Sequence, residues 1–324
     1  MAKVCVPIGD ELGAYGFPHG HPFGVGRLAA FWQAMVEQGL DREVVRRTPV
    51  QAPRESLLRF HTEAYVGRVA TLSERGSGLL DSGDTPAFPD CFEAAAFVVG
   101  SGLDALEQIL SGTVDRAFIP IAGLHHARRD RAAGFCIFND CGVLIETLRL
   151  EHGIRRILYV DIDAHHGDGV YYEFESDPEV FIVDVHEDGR ALYPGTGAAT
   201  ERGVGAASGT KLNLPVPPGA DDGVFDHVWA AAEAFLTEAR PELILLQCGA
   251  DSVAGDPLTH LRFSPRVHER TAAALVRLSL KHCHGRILAM GGGGYSLGNL
   301  AAAWTGVVRQ LLAEDATPAE ATER

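Results

Sequence analysis

Side chains able to do chemistry cluster at a few points of the chain, each directly after a short apolar run. In chain order they are His125, His126, Asp161, Asp163, His165, Asp168, Asp251 and Tyr295. Carboxylates and imidazoles bind divalent metals and move protons in enzymes. Packing does not readily explain why four apolar runs all end in such groups, so the set predicts a catalytic site.

Two of these residues, Asp163 and His165, are two positions apart. In extended chain such residues point to the same side, so both can reach one metal ion. Asp251, which arrives after a separate apolar run, would supply a third ligand. Two carboxylates and one imidazole, with a position left open for water, suit one catalytic zinc ion.

The tandem histidines His125 and His126 suit acid–base chemistry beside that metal. Anionic ligands transfer more charge to zinc than neutral imidazoles do, so its water stays less acidic and needs a nearby base. Asp161 and Asp168 can orient the two rings, as carboxylates do behind histidine. Tyr295 follows four glycines that allow close backbone approach, and its hydroxyl can donate to a developing oxyanion.

The apolar runs that precede these residues have the features of buried parallel strands. They are short, nearly continuous and rich in branched residues, and they cover Ala117–Ile121, Ile157–Asp161, Val180–Val185, Leu243–Cys248 and Arg286–Met290. Helical patterns alternate with them. This alternation predicts a three-layer α/β/α fold with a mostly parallel central sheet, whose ligand site lies beyond the carboxyl ends of the strands.

The helix at 265–284 illustrates the boundary signals. Ser264 followed by Pro265 is typical of a helix start, with the serine side chain as N-cap, and Gly285 is typical of an end. We see neither an internal repeat nor an interdomain linker. The pattern predicts a single domain over residues 1–312, followed by a disordered tail at 313–324.

Composition narrows the function classes. The net charge of −15 disfavours nucleic-acid partners and favours cationic ones such as lysine-rich peptides or amines. Six scattered cysteines include no C-x-x-C pair, which indicates reduced, buried thiols. The amino terminus lacks the pattern of a signal peptide and the apolar runs are too short for a membrane span, so we expect a cytoplasmic location.

At these residues the chain resembles the zinc-dependent histone deacetylase family, and within it the bacterial acetoin-utilisation branch. The resemblance extends over nearly the whole chain. It is carried by GHPFGVGRL (20–28), LLRFHTEAYV (57–66), LHHARRDRAAGFCIFND (124–140), YVDIDAHHGDGV (159–170), VHEDGRALYPGTG (185–197), GADSVAGDP (249–257) and GGGGY (291–295). It implies an arginase/deacetylase-like fold and hydrolysis of an acyl-lysine amide by metal-activated water.

The resemblance also implies a role for each site residue. Asp163, His165 and Asp251 would bind one zinc ion. His126 would be the general base and His125 its electrostatic or acidic partner, with Asp161 and Asp168 hydrogen-bonded behind them, and Tyr295 would be the oxyanion donor. Further residues would contact the acyl-lysine or its product: Gly134, Phe135 and Tyr193 along the tunnel, Leu258 and Asp84 at the rim, and Arg27 in a channel for acetate.

A structural potassium ion is a second cofactor that the resemblance implies. Its ligands would be Asp161 and backbone carbonyls around Asp163 and His165. Here the chain departs from the family, because Asp184 stands where a serine is usual, and as a further residue of this site its carboxylate would retain the cation or change its affinity. The resemblance also bears on the branch of the family to which the chain is most similar. Asp168 favours the acetyl-lysine branch, because acetylpolyamine deacetylases commonly carry asparagine at this position.

Three alternatives stay open at this point. One alternative substrate is an acetylated polyamine or another small acylated amine instead of acetyl-lysine. A ureohydrolase-like enzyme with two manganese ions would share the fold, but it needs a second set of carboxylate ligands. A catalytically silent acyl-lysine-binding protein would not need the complete set of histidines, metal ligands and Tyr295.

Overall fold

The chain folds around one sheet of eight parallel strands. The computed structural model describes residues 1–18 and 20–314. The strands are β1 (Val4–Pro7), β2 (Val45–Arg47), β3 (Arg116–Ile119), β4 (Ile157–Asp161), β5 (Val180–Glu187), β6 (Lys211–Val216), β7 (Leu243–Gln247) and β8 (Ile287–Met290). Their order across the sheet is β2-β1-β3-β8-β7-β4-β5-β6.

Helices cover both faces of this sheet. They are α1 (Asp10–Gly13), α2 (Arg27–Glu37), α3 (Arg54–Leu57), α4 (Glu63–Arg75), α5 (Cys91–Leu110), α6 (Asp140–Leu150), α7 (Asp168–Phe174), α8 (Asp222–Ala239), α9 (Pro265–His282) and α10 (Leu297–Leu312). One apolar core joins the sheet to α4, α5, α6 and α7, and a second core joins it to α2, α8, α9 and α10. The three-layer α/β/α fold is therefore confirmed.

The central strands show why the sequence gives this arrangement. In β4, Ile157 and Tyr159 enter one core while Leu158 and Val160 enter the other. Because successive side chains point to opposite faces, a strand buried on both sides must be apolar at nearly every position. The sequence pattern finds such strands well, and β4 has the predicted bounds.

Three strands escaped the sequence analysis, β1, β2 and β6, and the last two form the two edges of the sheet. The residues of β2 are largely exposed, and they include two arginines. In β6 the buried Lys211 replaces an apolar residue, and its ammonium donates to the carbonyl oxygens of Asp177 and Val180 at 2.8 and 2.5 Å. Edge strands carry fewer apolar residues, so hydropathy alone does not reveal them.

The start of α9 also corrects one detail. Pro265 is the first helical residue, as predicted, but the Ser264 hydroxyl does not cap the helix. It donates to Asp222 Oδ2 at 2.6 Å, at the start of α8, and so ties two helices together. Gly285 has a left-handed φ of 83°, and its N–H donates to the carbonyl oxygen of Ser279 within the last turn of α9.

Four neighbouring strands, β3, β8, β7 and β4, determine where the polar residues meet. All eight of the residues with which the sequence analysis began lie at the carboxyl ends of these strands or in the segments that follow them, Asp161 being the last residue of β4. Polar side chains that follow parallel strands gather at one edge of the sheet. Strands β8 and β7 lie between β3 and β4 in the sheet, although they follow both in the chain. These four strands are therefore the central ones, and the polar residues gather at their carboxyl ends.

Three further expectations concern the cysteines, membrane-spanning segments and the C-terminal tail. All six cysteines are unpaired and buried. Within the described residues, no helix combines the length and apolar character that crossing a bilayer requires. Of the tail that was expected to be disordered, residues 315–324 lie outside the described residues.

Candidate active site

Asp163, His165 and Asp251 form a buried cluster whose ligand atoms all lie within 4.8 Å of one another. His165 Nδ1 lies 3.0 Å from Asp163 Oδ1 and 3.2 Å from Asp251 Oδ2. Asp163 and His165 follow β4, and Asp251 lies in a short 3-10 helix after β7, the neighbouring strand. The fold thus brings together the three residues that the sequence analysis expected to bind zinc.

Hydrogen bonds from the surrounding chain leave one atom of each carboxylate pointing into the cluster. Asp163 Oδ2 accepts from the Gln247 side chain at 2.8 Å and from the Gly293 amide at 2.9 Å. Asp251 Oδ1 accepts from the Ala164 amide at 2.9 Å. These bonds fix the two carboxylates so that Asp163 Oδ1 and Asp251 Oδ2 face His165 Nδ1.

The cluster has the properties of a cation site. Asp251 Oδ2 is buried and accepts no hydrogen bond. Burial lowers the pKa of His165, but Asp163 and Asp251 outweigh it and raise the pKa to about 10, so a positive charge is stabilised between the carboxylates. At Gly293 a Cβ atom would come within 2.1 Å of Asp251 Oδ2, so only glycine leaves this space free. Two carboxylates, one imidazole and a free approach fit a catalytic zinc ion.

The two tandem histidines lie beside this cluster and contact each other. Their Nε2 atoms are 3.1 Å apart. His125 Nδ1 lies 2.8 Å from Asp161 Oδ2, and His126 Nδ1 lies 2.7 Å from Asp168 Oδ1. Each ring therefore has its own carboxylate behind it, as the sequence analysis expected.

The two rings differ sharply in charge. Burial lowers the pKa of His125, but Asp161 and Asp163 raise it to about 10, so His125 is cationic at neutral pH. Burial and the neighbouring His125 lower the pKa of His126 to about 4, so His126 is neutral. A cationic His125 donates from Nε2, which leaves Nε2 of His126 as an acceptor and its Nδ1–H donating to Asp168.

Several residues that the sequence analysis did not single out hold this pair in place. The Tyr159 hydroxyl donates to Asp161 Oδ2 at 2.7 Å, and Arg128 donates to Asp168 Oδ2 at 3.0 Å. Asp140, which is fully buried, accepts from the amides of Gly123 and Leu124 at 2.8 and 2.7 Å and so fixes the loop that carries the histidines. Asp140 lies within the motif at 124–140, but nothing in the local pattern shows that it bonds back to that loop.

Tyr295 borders the same cavity, which His126, His165 and Asp251 also line. Its ring contacts the rings of Phe23 and Phe135, with centroids 6.4 and 5.9 Å apart. Its amide donates to Asp256 Oδ2 at 2.8 Å, which connects the glycine-rich loop to the loop that carries Asp251. Asp256 is a further supporting residue that the sequence analysis missed.

Arg27 lies behind the glycine-rich loop and is 2% exposed. It donates to the carbonyl oxygens of Gly294 and Gly292 at 3.0 and 2.5 Å, and its guanidinium lies 4.0 Å from the centroid of the Phe23 ring. Its Nη1 atom is buried without a hydrogen-bond partner. Arg27 therefore supports the backbone before Tyr295, and one donor remains free for the acetate role that the resemblance implies.

The residues expected to form the tunnel flank His126 on the outer side. Tyr193 is 44% exposed, and its ring centroid lies 5.1 Å from that of His126. Gly134 lies between the two rings: it has a φ of 53°, and a Cβ there would come within 2.4 Å of His126 and 3.0 Å of Tyr193. Phe135 also has a positive φ, and its carbonyl accepts from the Tyr15 hydroxyl at 2.7 Å.

Asp84 lies in an exposed loop beside Tyr193. The loop's own amides are satisfied by a different residue, since Asp81 Oδ1 accepts from Gly83, Asp84 and Thr85 at 2.9, 3.1 and 3.0 Å. The Asp84 carboxylate is therefore not needed to hold the turn. Leu258, the other expected rim residue, is 37% exposed on the loop after Asp256.

Asp184 is fully buried and makes an internal ion pair. His186 Nδ1 lies 2.7 Å from its Oδ1, and the Gly167 amide donates to its Oδ2 at 2.8 Å. Burial raises the pKa of Asp184, but His186 reverses this and holds the pKa below its usual value. The extra carboxylate that departs from the family pattern thus has a buried histidine as its partner within the protein.

The fold is of the three-layer α/β/α class, and its site combines three residues that can hold a metal ion with a histidine pair. The family model for the histone deacetylase domain matches residues 21–311. The chain belongs to the histone deacetylase family.

Individual relatives agree with this membership. The chain is 36% identical over 293 residues to the acetoin utilization protein AcuC of Bacillus subtilis, covering 87% of this chain and 75% of the relative. It is 33% identical over 290 residues to histone deacetylase 8 of Xenopus tropicalis, covering 87% and 77%. The crystal structure of the HDA15 HD domain matches with a TM-score of 0.85 and 27% identity, over 96% of this chain and 90% of that one.

Proposed function

We propose that the protein is a zinc-dependent deacetylase that hydrolyses the amide of acetyl-lysine or a related acylated amine, releasing acetate and the free amine. The proposal rests on one observation, which is that three functional groups line the same cavity. The cluster of Asp163, His165 and Asp251, the neutral His126 and the ring of Tyr295 all line it. Membership of the histone deacetylase family supports the same chemistry.

Asp163, His165 and Asp251 would hold the zinc ion, which as a Lewis acid polarises the amide carbonyl and acidifies water. The protein's own part begins with His126. The one acceptor lone pair of its ring lies on Nε2, because the proton on Nδ1 is donated to Asp168, 2.7 Å away, and the attacking water takes the place of the His125 N–H at this lone pair. His126 Nε2 therefore accepts a proton from the attacking water as the new C–O bond forms.

Negative charge then develops on the carbonyl oxygen. The Tyr295 hydroxyl, whose pKa is raised well above its usual value by burial and by Asp251, stays protonated and donates to that oxygen. His125, cationic and held by Asp161, adds a fixed positive charge beside the reacting atoms. When the C–N bond breaks, the proton held on His126 moves to the amine nitrogen, and acetate and amine leave.

A second proposed cofactor is potassium, held by Asp161 and by backbone carbonyls of Asp163 and His165. Asp184 makes one hydrogen bond at each carboxylate oxygen, and an ionised carboxylate retains further lone pairs that a cation can use. Because His186 and the Gly167 amide hold the Asp184 carboxylate in place, we propose that the ion is structural and takes no part in the proton transfers.

Acetylpolyamines and other small acylated amines are the alternative substrates, and the acidic surface is compatible with them. Among the described residues, one group is placed to hold a metal ion, Asp163, His165 and Asp251, which favours a one-metal hydrolase over a two-manganese enzyme of the ureohydrolase type. A silent acyl-lysine-binding protein would bind substrate without releasing acetate.

Acetate release from a panel of substrates tests the proposal. The panel contains acetyl-lysine peptides, acetylated polyamines and longer acyl-lysines, each assayed with zinc-loaded enzyme. We expect turnover of at least one class and its loss in the His126→Ala variant. Binding of these substrates without acetate release by the wild type would favour the silent acyl-lysine-binding protein.

A further inference from the structure

A polar groove opens directly beside the expected tunnel mouth, which is the surface between Phe135 and Tyr193. Its volume is about 530 Å³. One wall is the loop with Asp81 and Asp84, the other carries Arg128 and Arg131, and Tyr193 joins the groove to the mouth. A substrate whose acylated side chain occupies the tunnel must place its remaining atoms over this groove.

The arginine wall is a local exception in a chain of net charge −15. Three arginines occur in the four residues from 128 to 131, and two of them form ion pairs with carboxylates from other segments of the protein. Arg128 donates to Asp168 and its guanidinium lies 4.8 Å from the centroid of the Tyr172 ring. Arg129 points away from the groove and donates to Glu146 and Glu173.

Arg131 differs from both. Its side chain is 59% exposed, and it forms an ion pair with Asp130, which is 63% exposed, at 3.0 Å. Exposed pairs between neighbouring residues contribute little free energy, so a substrate carboxylate can replace Asp130 at small cost. The backbone beneath Arg131 is fixed, because its carbonyl accepts from the Arg128 amide at 2.9 Å and Ala132 is buried.

The opposite wall does not cancel this positive charge. The Asp81 carboxylate accepts from three amides of its own loop, and the charge of Asp168 is offset by Arg128. Asp84, whose Oδ1 accepts from the Thr85 hydroxyl at 3.2 Å, also lines the groove and suits an N–H donor. The groove therefore offers an acceptor on one side and a cation on the other, beside the Tyr193 ring.

We propose that Arg131 binds a carboxylate that the substrate carries outside the tunnel. The enzyme then prefers acyl-lysine substrates with a carboxylate close to the α-carbon. This inference rests on the proposed deacetylase function and names a substrate feature for the same site. The carboxylate can be the α-carboxylate of free acetyl-lysine or the side chain of an acidic residue that follows acetyl-lysine in a peptide.

Paired substrates that differ only in this charge test the proposal. One pair is free Nε-acetyl-lysine and its α-carboxamide, and the other is a peptide with Glu or Gln directly after acetyl-lysine. We expect kcat/KM to favour the carboxylate by about two- to fivefold in at least one pair, as for an exposed ion pair, and to lose this preference at high salt. The pair that shows the preference identifies the source of the carboxylate.

Variants assign the preference to Arg131. Arg131→Ala should abolish it while leaving kcat/KM on the neutral substrates unchanged, and Arg131→Glu should reverse it. Asp130→Asn removes the competing carboxylate and should increase it. Arg155→Ala is the matched control, because Arg155 is 73% exposed and pairs with Glu179 near the start of β4, at the other end of the sheet from the site.

Two results would overturn the inference: equal kcat/KM within both pairs in the wild type, or a preference that Arg131→Ala retains. Either result leaves the proposed function intact as long as the neutral substrates are hydrolysed. Failure of the wild type to hydrolyse any substrate would instead contradict the proposed function itself, so the two failures are distinguishable.

Discussion

His125 Nε2 and His126 Nε2 lie 3.1 Å apart, and only one proton can occupy the space between them. Asp161 stabilises the proton on the His125 side, since it helps to raise the pKa of His125 to about 10 against the effect of burial. The two adjacent residues therefore hold opposite states at neutral pH. One is a fixed cation and the other is a neutral base.

This asymmetry predicts different effects for the two alanine variants. His126→Ala removes the acceptor for the water proton and should lower kcat by about 10²–10⁴, the usual contribution of a general base. Zinc content and hydroxamate inhibitor binding should persist in that variant, which shows that the metal site is intact. His125→Ala removes a charge and should cost less. If His125→Ala were much the more damaging change, the assignment of the two roles would be reversed.

Tyr295→Phe tests the oxyanion donor. The ring that contacts Phe23 and Phe135 stays, and only the hydroxyl is lost. We expect kcat to fall by about 10²–10³, as for other lost oxyanion-hole donors. Tyr172→Phe removes a hydroxyl that donates to Glu201 and serves as the control, with kcat close to wild type. A Tyr295→Phe enzyme within about threefold of wild type would exclude the oxyanion role, judged on the same scale.

Asp84→Ala tests the rim residue. Because Asp81 satisfies the loop amides, the loop should keep its conformation in this variant. A charge-assisted hydrogen bond to substrate N–H groups predicts a loss of about 10- to 150-fold in kcat/KM for acetyl-lysine peptides and a much smaller loss for small acetylated amines. Ser82→Ala, in the same exposed loop, is the control. Equal losses on both substrate classes would indicate a folding defect.

Zinc binding should be strongly dependent on pH. In the metal-free protein Asp163 and Asp251 raise the pKa of His165 to about 10 despite its burial, so its ring carries a proton that zinc must displace. Burial and Asp163 raise the pKa of Asp251 to about 7, which adds a partial second proton near neutral pH. Affinity should therefore fall as pH decreases, with release of about one to two protons per zinc ion. Calorimetry in buffers of different ionisation enthalpy measures this number, and a value of zero would contradict the charge state of the site.

The sequence alone predicts much of the fold and of the metal cluster, for identifiable reasons. Strand β4 is apolar at successive positions and ends in Asp161, so its bounds and its polar end are visible in the pattern. The spacing of Asp163 and His165 likewise predicts a shared ligand direction. Long-range contacts leave no such local trace. The bonds of Asp140 to the Gly123 loop, of Gln247 to Asp163 and of Asp256 to Tyr295 exist only once the loops are packed together.

The edge strands and the expected N-cap at Ser264 show a second limit of prediction from the sequence. Hydropathy does not indicate a strand that is exposed, as β2 is, or one that buries Lys211. The Ser264 hydroxyl has two acceptable partners, its own helix and Asp222, and the tertiary contact prevails. Local rules describe what a residue is able to do, and packing determines which option it takes.

Restoration of activity by zinc is the most direct test of the central claim. Enzyme stripped by a chelator should show no acetate release, and activity should return in proportion to added zinc until about one ion is bound per chain. The matched variant Asp251→Asn, which keeps the shape of the side chain but removes its charge, should bind zinc weakly and stay inactive at the same zinc concentration. Full turnover by the metal-free wild type, or an unimpaired Asp251→Asn enzyme, would contradict the account.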